Sequence, residues 1–412
     1  MTMKHILLGI SIIAGLASVN IQAANKISDE ASLKSAIAMA NADSNITRIV
    51  FERNAQIKLT SPVIYTGKQA LSLLGNDSTI DGAAVGSVAL NADLTATSKG
   101  GALVFHTGAN VTIQRLTVSN SALRGVVISI PGDAQGDDIQ VFLHKVNILN
   151  SALYGLHVDD NADEFDEGST GSAIGIKLNI SQSNITGNGV GAIDFDGIRV
   201  DERGQGDIYV MINDTHIDGN GGDGLELDEG GEGDVDAAMK HVTFNNNGFY
   251  NAEDLDDGFD IDEAGGGDVK VSLFKVQVNN NKDEGLDFDE EDDGDMLIKL
   301  RDVVAINNTD ENIKVEEQGA GDITARIFNV EVKNSTNDGI QITELGKGRI
   351  EAVVLKKVSA TDNKKYGVLI EQWFEKGEEK PVEAEGSLEI EGLTLSGNGA
   401  GDELGLHNVV IK

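Results

Sequence analysis

The stretch GLELDEGGEGDVDAAMKHVTFNNN, residues 224–247, decides the fold. Leu225 and Leu227 alternate with Glu226 and Asp228. Val235, Ala237 and Met239 then alternate with polar residues, and so do Val242 and Phe244. Alternation of period two marks a strand with one buried face. Glycine-rich and asparagine-rich turns separate three such segments, so one stretch folds as three short strands.

Working outward, the same columns recur. Ile198/Val200, Phe259/Ile261, Leu286/Phe288, Ile313/Val315 and Ile340/Ile342 repeat the first segment. Ile208/Val210/Ile212, Val269/Val271/Leu273 and Ile323/Ala325/Ile327 repeat the second, and Val276/Val278, Val330/Val332 and Val358/Ala360 the third. Alignment on the residue that opens the first strand (Gly125, Gly155, Gly197, Gly224, Gly258, Gly285, Asn312, Gly339, Gly367) gives intervals of 30, 42, 27, 34, 27, 27, 27 and 28. The period is 27, with insertions before Gly197 and Gly258. A repeat of that length means stacked supersecondary units, each burying its apolar face only against its neighbours. The fold class is all-β: a right-handed parallel β-helix of three sheets with ~27-residue coils.

The chain has 412 residues, no Cys, 49 Gly and 4% aromatics. The missing cysteines exclude disulfides, thiolate metal sites and cysteine nucleophiles. The net charge of −36 excludes a binder of phosphate backbones. The charge is local: residues 191–300 hold 31 acidic and 7 basic side chains, a net of −24, whereas residues 1–150 hold 10 acidic and 11 basic. Lys4 and His5, the apolar run Ile6–Ala17 and the ending Ile21-Gln22-Ala23-Ala24 read as a signal peptide over residues 1–23. The mature protein is therefore expected to be secreted or periplasmic, with no membrane insertion. Residues 24–412 read as one domain: a capping helix over 28–45, lead-in strands over 46–100 and coils over 101–412.

The helix followed by TRIVF, IKLTSPVIYTG and LSLLGNDSTIDG resembles the opening segment of secreted bacterial right-handed parallel β-helix proteins, and the coils resemble the pectin-lyase-like superfamily. The resemblance implies the fold over nearly the whole mature chain. It leaves function open, because that superfamily includes polysaccharide lyases, hydrolases, epimerases and adhesins.

Two polar columns carry chemistry. Asn120, Asn150, Asn246, Asn280, Asn307 and Asn334 are expected to point inward at a turn and to stack as a ladder of amides. The outward column of the first sheet is acidic: Arg199/Asp201, Glu226/Asp228, Asp260/Asp262, Asp287/Asp289 and Lys314/Glu316. A carboxylate follows each pair (Glu202, Glu229, Glu263, Glu290, Glu317), and another precedes the opening residue (Asp196, Asp223, Asp257, Glu284, Glu311, Asp338). A further row, which includes Asp295, opens the second sheet. Neighbouring coils lie ~4.8 Å apart, and like charges opposed at that spacing repel. Calcium or another divalent cation, which takes six to eight oxygens, relieves the repulsion. The expected ligands are Asp196, Asp201, Glu226, Asp228, Asp257, Asp260, Asp262, Asp287, Asp289 and Asp295. The alternative is a solvated acidic face.

The candidates for a catalytic base are few. Calcium-dependent lyases of the resembled superfamily use a Lys or Arg base, which leaves Arg199, Lys314 and His157 in this column. The polygalacturonase pattern is represented only by Asn308-Thr309-Asp310. The leading expectation is a non-catalytic binding or structural protein. Its partners are divalent cations, with an extracellular polysaccharide or a basic protein surface beyond them. A calcium-dependent polysaccharide lyase is the alternative reading, and an adhesin-like module without ions a third.

Overall fold

The computed structural model describes residues 26–160, 171–251, 255–374 and 385–412; the signal peptide expected over 1–23 lies outside the described residues. The chain is a right-handed parallel β-helix. Helix α1, Glu30–Ala42, lies within the expected 28–45, starting two residues later and ending three residues earlier. Asp29 caps it by accepting the Ser32 N–H at 2.8 Å, and Ser32 Oγ accepts the Asp29 N–H at 3.1 Å. Leu33, Ala36, Ile37 and Ala40 are its buried stripe.

The first strands of the coils stack into one parallel sheet, 12 strands among the described residues. The second and third faces were expected as separate sheets. They join as one bent 17-stranded sheet, because long strands such as Ile208–Asp218 and Val235–Asn245 turn their corner without leaving the ladder. The corner is a single left-handed residue: Asp214 at φ 49° and His241 at φ 54°. In strand Leu71–Asp81 the corner is made by two left-handed residues, Asn76 and Asp77.

One apolar core cluster runs from Ile27 to Val409 along the axis of the coils. In its middle Phe259 packs between Phe244 and Phe288, with ring centroids 5.5 and 5.2 Å away. The inward amide ladder exists, one residue later than the sequence suggested. Asn188, Asn220, Asn247, Asn281 and Asn308 are buried, and each of the first four donates its backbone N–H to the next coil's amide oxygen at 3.0–3.1 Å. Asn120, Asn150, Asn246, Asn280, Asn307 and Asn334 are instead the exposed left-handed residues that make the turn, at φ 56–63°. A short amide side chain tolerates that conformation better than most.

Candidate functional site: a row of acids between two cations

The register of the 12-stranded sheet builds the site. Ile198, Leu225, Phe259 and Leu286 pair across successive coils, so Arg199, Glu226, Asp260 and Asp287 form one row. Asp201, Asp228, Asp262 and Asp289 form the row beside it. Both rows point away from the core, yet much of their length is not solvated. Arg199 is 4% exposed, Asp201 4%, Glu226 6% and Asp287 8%. Burying carboxylates at ~4.8 Å spacing requires a partner for each.

At one end the partner is Arg199. Its guanidinium donates to Asp201 at 2.7 Å, to Asp228 at 2.7 Å and to Glu226. Arg203 adds a second contact to Asp228. His157 is fully buried, with Nε2 2.7 Å from Asp201 and its ring 4.6 Å from that of Tyr154. Burial, then the charge of Arg124, lowers its pKa. At the other end Lys314 donates to Asp287 at 2.8 Å and to Asp289 at 3.0 Å. Burial opposes its charge, but Asp287 and Asp289 outweigh burial and raise its pKa. Arg199 is likewise raised, by Asp201 and Glu226 against burial. Arg199 and Lys314 are thus counter-charges within the row, while His157, its pKa lowered by burial, is neutral and held by Asp201. A proton acceptor must be deprotonated at working pH, and the partners of Arg199 and Lys314 hold both protonated.

Between those ends lies a gap. Asp260 has Glu226 on one side and Asp287 on the other. Asp223, Glu226 and Asp260 each offer an oxygen within 4.8 Å of the others, and so do Asp257, Glu284 and Asp287. Oδ1 of Asp257 and Oδ1 of Asp287 are buried with no hydrogen-bond partner. Burial first, and neighbouring carboxylates second, push Asp223, Asp257 and Asp260 well above the carboxylate range. Glu226 is also raised, by burial against the pull of Arg199. The same causes raise Glu284 to about 9, and burial with Asp289 raises Asp287 to about 8. Converging, partly buried carboxylate oxygens are the donor set of a hard divalent cation.

The structure sorts the ten expected ligands. Glu226, Asp257, Asp260 and Asp287 come together in the gap. Asp223 and Glu284, from the row before the opening glycine, complete the two groups. Asp196 joins Asp194 and Glu226 in a third group, while its Oδ1 accepts the Asp223 N–H at 2.8 Å. Asp201, Asp228 and Asp289 are committed to Arg199, Arg203 and Lys314. Asp262 is exposed at the rim and belongs to none of the groups. Asp295 lies, as expected, in the turn row that opens the second sheet, and it belongs to none of the groups. There its N–H reaches Asp268 at 3.1 Å and its Oδ1 accepts the Asp322 N–H at 2.9 Å. That ladder engages one oxygen of the side chain.

The glycine-rich turns also read differently in three dimensions. A Cβ on Gly233, Gly267, Gly294 or Gly321 would collide with the carbonyl oxygen of the equivalent glycine one coil earlier. Close stacking, rather than ligand supply, requires them. The described end of the second insertion reaches the gap through Asp257, and that of the first reaches the third group through Asp194 and Asp196. Phe195 packs with Tyr154 and Leu153 in a satellite apolar cluster, while Phe249 and Leu255 stay exposed beside Asp257 in sequence. Trp373 stacks on His407 at 3.5 Å.

No family model matches the chain, and no curated protein matches it. Among solved structures, the chain is similar to ORF18 of Geobacillus virus E2, at 12% identity and TM-score 0.45, over 76% of this chain and 57% of that one. It is also similar to the mannuronan C-5 epimerase A-module of Azotobacter vinelandii, at 14% identity and TM-score 0.42, over 94% and 95% of the two chains. A periplasmic alginate epimerase aligns at 12% identity and TM-score 0.42, over 87% and 76%.

Proposed function

We propose that the protein binds divalent cations, calcium foremost, in the gap of its acidic face, and that it works as an exported, non-catalytic binding or structural protein. The observation that carries this reading is the uncompensated middle of the row. Arg199 and Lys314 neutralise the ends with side chains of the chain itself. Among the described residues, Asp223, Glu226, Asp260, Asp257, Glu284 and Asp287 converge with no lysine or arginine paired to them except where Glu226 and Asp287 lean on the ends. The ligand class beyond the ion is an acidic polysaccharide, held through a bridging cation that both the gap and a uronate carboxylate can coordinate. The lyase alternative needs a free base, and Arg199, Lys314 and His157 are each tied into the fold.

A thermal titration tests the proposal. A ligand bound only by the folded state stabilises it by RT ln(1 + [L]/Kd), about 2.7 kcal/mol at a hundredfold excess. Calcium is expected to raise the melting temperature well beyond sodium chloride at equal ionic strength, and Asp260→Asn to blunt the difference. If sodium chloride reproduces the whole shift, the face is a solvated acidic surface and the proposal fails.

A further inference from the structure

The second acid in each coil's turn takes no part in that face. Period-two parity turns Glu202, Glu229, Glu263, Glu290, Glu317 and Glu344 to the opposite side of the sheet from Asp201 and its row, toward the interior. All six are at most 1% exposed. Strand pairing places them directly over one another in six successive coils. Asp160 precedes the file beside Glu202, and Gln372 follows Glu344 in register.

Both oxygens of Glu202 accept backbone N–H groups and neither oxygen of Glu344 has a donor among the described residues, but in the four members between them one oxygen is accounted for. Oε1 of Glu263, Glu290 and Glu317 accepts the N–H of Gly267, Gly294 and Gly321 at 2.9–3.1 Å, each four residues on. The other oxygen is not: Oε2 of Glu229, Glu263, Glu290 and Glu317 is buried with no donor. Each side chain instead lies in hydrogen-bonding contact with the glutamate of the next coil. Among the described residues no lysine, arginine or histidine pairs with Glu229, Glu263, Glu290, Glu317 or Glu344. Two carboxylates cannot hydrogen-bond without a proton between them, and stacked buried anions without counter-charge are untenable. Glutamine, the uncharged isostere, fills the next place in the file, with Oε1 of Gln372 accepting the Ile350 N–H at 3.0 Å.

We propose that these glutamates form a proton-sharing spine: carboxylic acids hydrogen-bonded coil to coil, which hold the stack together while protonated and loosen it when alkali removes their protons. The groups that face the spine agree. Burial is the first cause in every member; from Glu202 to Glu317 the glutamate of the next coil acts with it, while from Glu229 to Glu344 the hydrogen-bonding contact with the glutamate of the preceding coil opposes it. Asp160 adds to Glu202, and Asp322 adds to Glu344. Glu202 and Glu317 are raised to about 10, Glu229, Glu263 and Glu290 to about 8, and Glu344 to about 7. Folded-state values above the unfolded one mean stability that is present in acid and lost as the pH rises through about 7 to 10.

Glu317→Gln tests the spine at a position more than two residues from every group of the proposed cation gap. Melting temperatures of the full chain are measured with chelator at pH 5 and pH 9. The expected result is little change at pH 5 and a higher melting temperature than wild type at pH 9, with the calcium response unaltered. Loss of stability at both pH values would show that Glu317 is needed as an anion and would overturn the proposal. Should the variant not fold, infrared spectra decide. Carboxylic-acid carbonyl absorption that persists at pH 7 in the Asp260→Asn, Asp287→Asn double variant and declines as the pH rises through 10 supports the spine, and its absence at pH 7 refutes it.

Discussion

The coil that opens at Gly197 and the coil that opens at Gly258 share one backbone and one core pattern, yet they solve the same electrostatic problem differently. In the first, Arg199 places its guanidinium among Asp201, Glu226 and Asp228, and Arg203 braces Asp228. In the second, the residue in register with Arg199 is Asp260 itself. The cation that the first coil carries covalently, the second has to take from solution or replace with protons. A solenoid makes the contrast legible, because equivalent positions lie directly above one another and only the side chain changes.

Three substitutions break or sharpen the contrast. Arg199→Ala is expected to cost the most. It leaves buried carboxylates without their counter-charge, and breaking such a pair costs about 3–5 kcal/mol. Urea denaturation in chelator measures it, and calcium should recover part of the loss, because the variant turns the first coil into a copy of the second. A cost under about 1 kcal/mol would mean that Arg199 does not neutralise the row. Asn247→Ala comes next. Oδ1 of Asn247 accepts both the backbone and side-chain N–H of Asn220 at 3.0 Å. Leaving buried donors unsatisfied costs about 1–3 kcal/mol. The loss should be the same with calcium or chelator, since the amide ladder lies on the other side of the sheet. Asp260→Asn is the smallest. Relieving one like-charged cross-strand pair yields about 0.2–1 kcal/mol, so the chelated variant should be as stable as wild type or slightly more so. A clear loss in chelator would show that Asp260 holds the fold together as an anion.

The fold was legible because period-two alternation and the 27-residue spacing are both properties of the chain itself. The amide ladder was legible as a column but misplaced by one residue. In Asn245-Asn246-Asn247 all three residues are amides, and the choice among them rests on which one takes the left-handed turn. The spacing held the clue: Asn220, Asn281, Asn308 and Asn363 each stand four residues before the residue that opens the first strand. The cation gap was half legible. Composition located the acids, but the long reach of Arg199 and Lys314, which removes Asp201, Asp228 and Asp289 from it, is a matter of side-chain geometry. The glutamate spine could be read from parity alone, since Glu202 stands two residues after Val200 and four after Ile198. It was hidden by the expectation that an acid in a glycine-rich turn faces water.

The gap makes a definite statement about protons. Without a cation, Asp287 at about 8 and Glu284 at about 9 bind protons that the unfolded chain releases near the ordinary values of 3.8 and 4.5. That contribution to stability is present in acid and fades as the pH rises toward about 9. On the proposed reading a divalent cation takes the place of those protons. The most direct measurement is calcium titration by calorimetry at pH 7 in two buffers of different ionisation heat. The account predicts binding with net release of protons, shrinking as the pH is raised to 10, and lost in a variant combining Asp260→Asn with Asp287→Asn. Binding with no proton release, or release that persists unchanged in that variant, would contradict it.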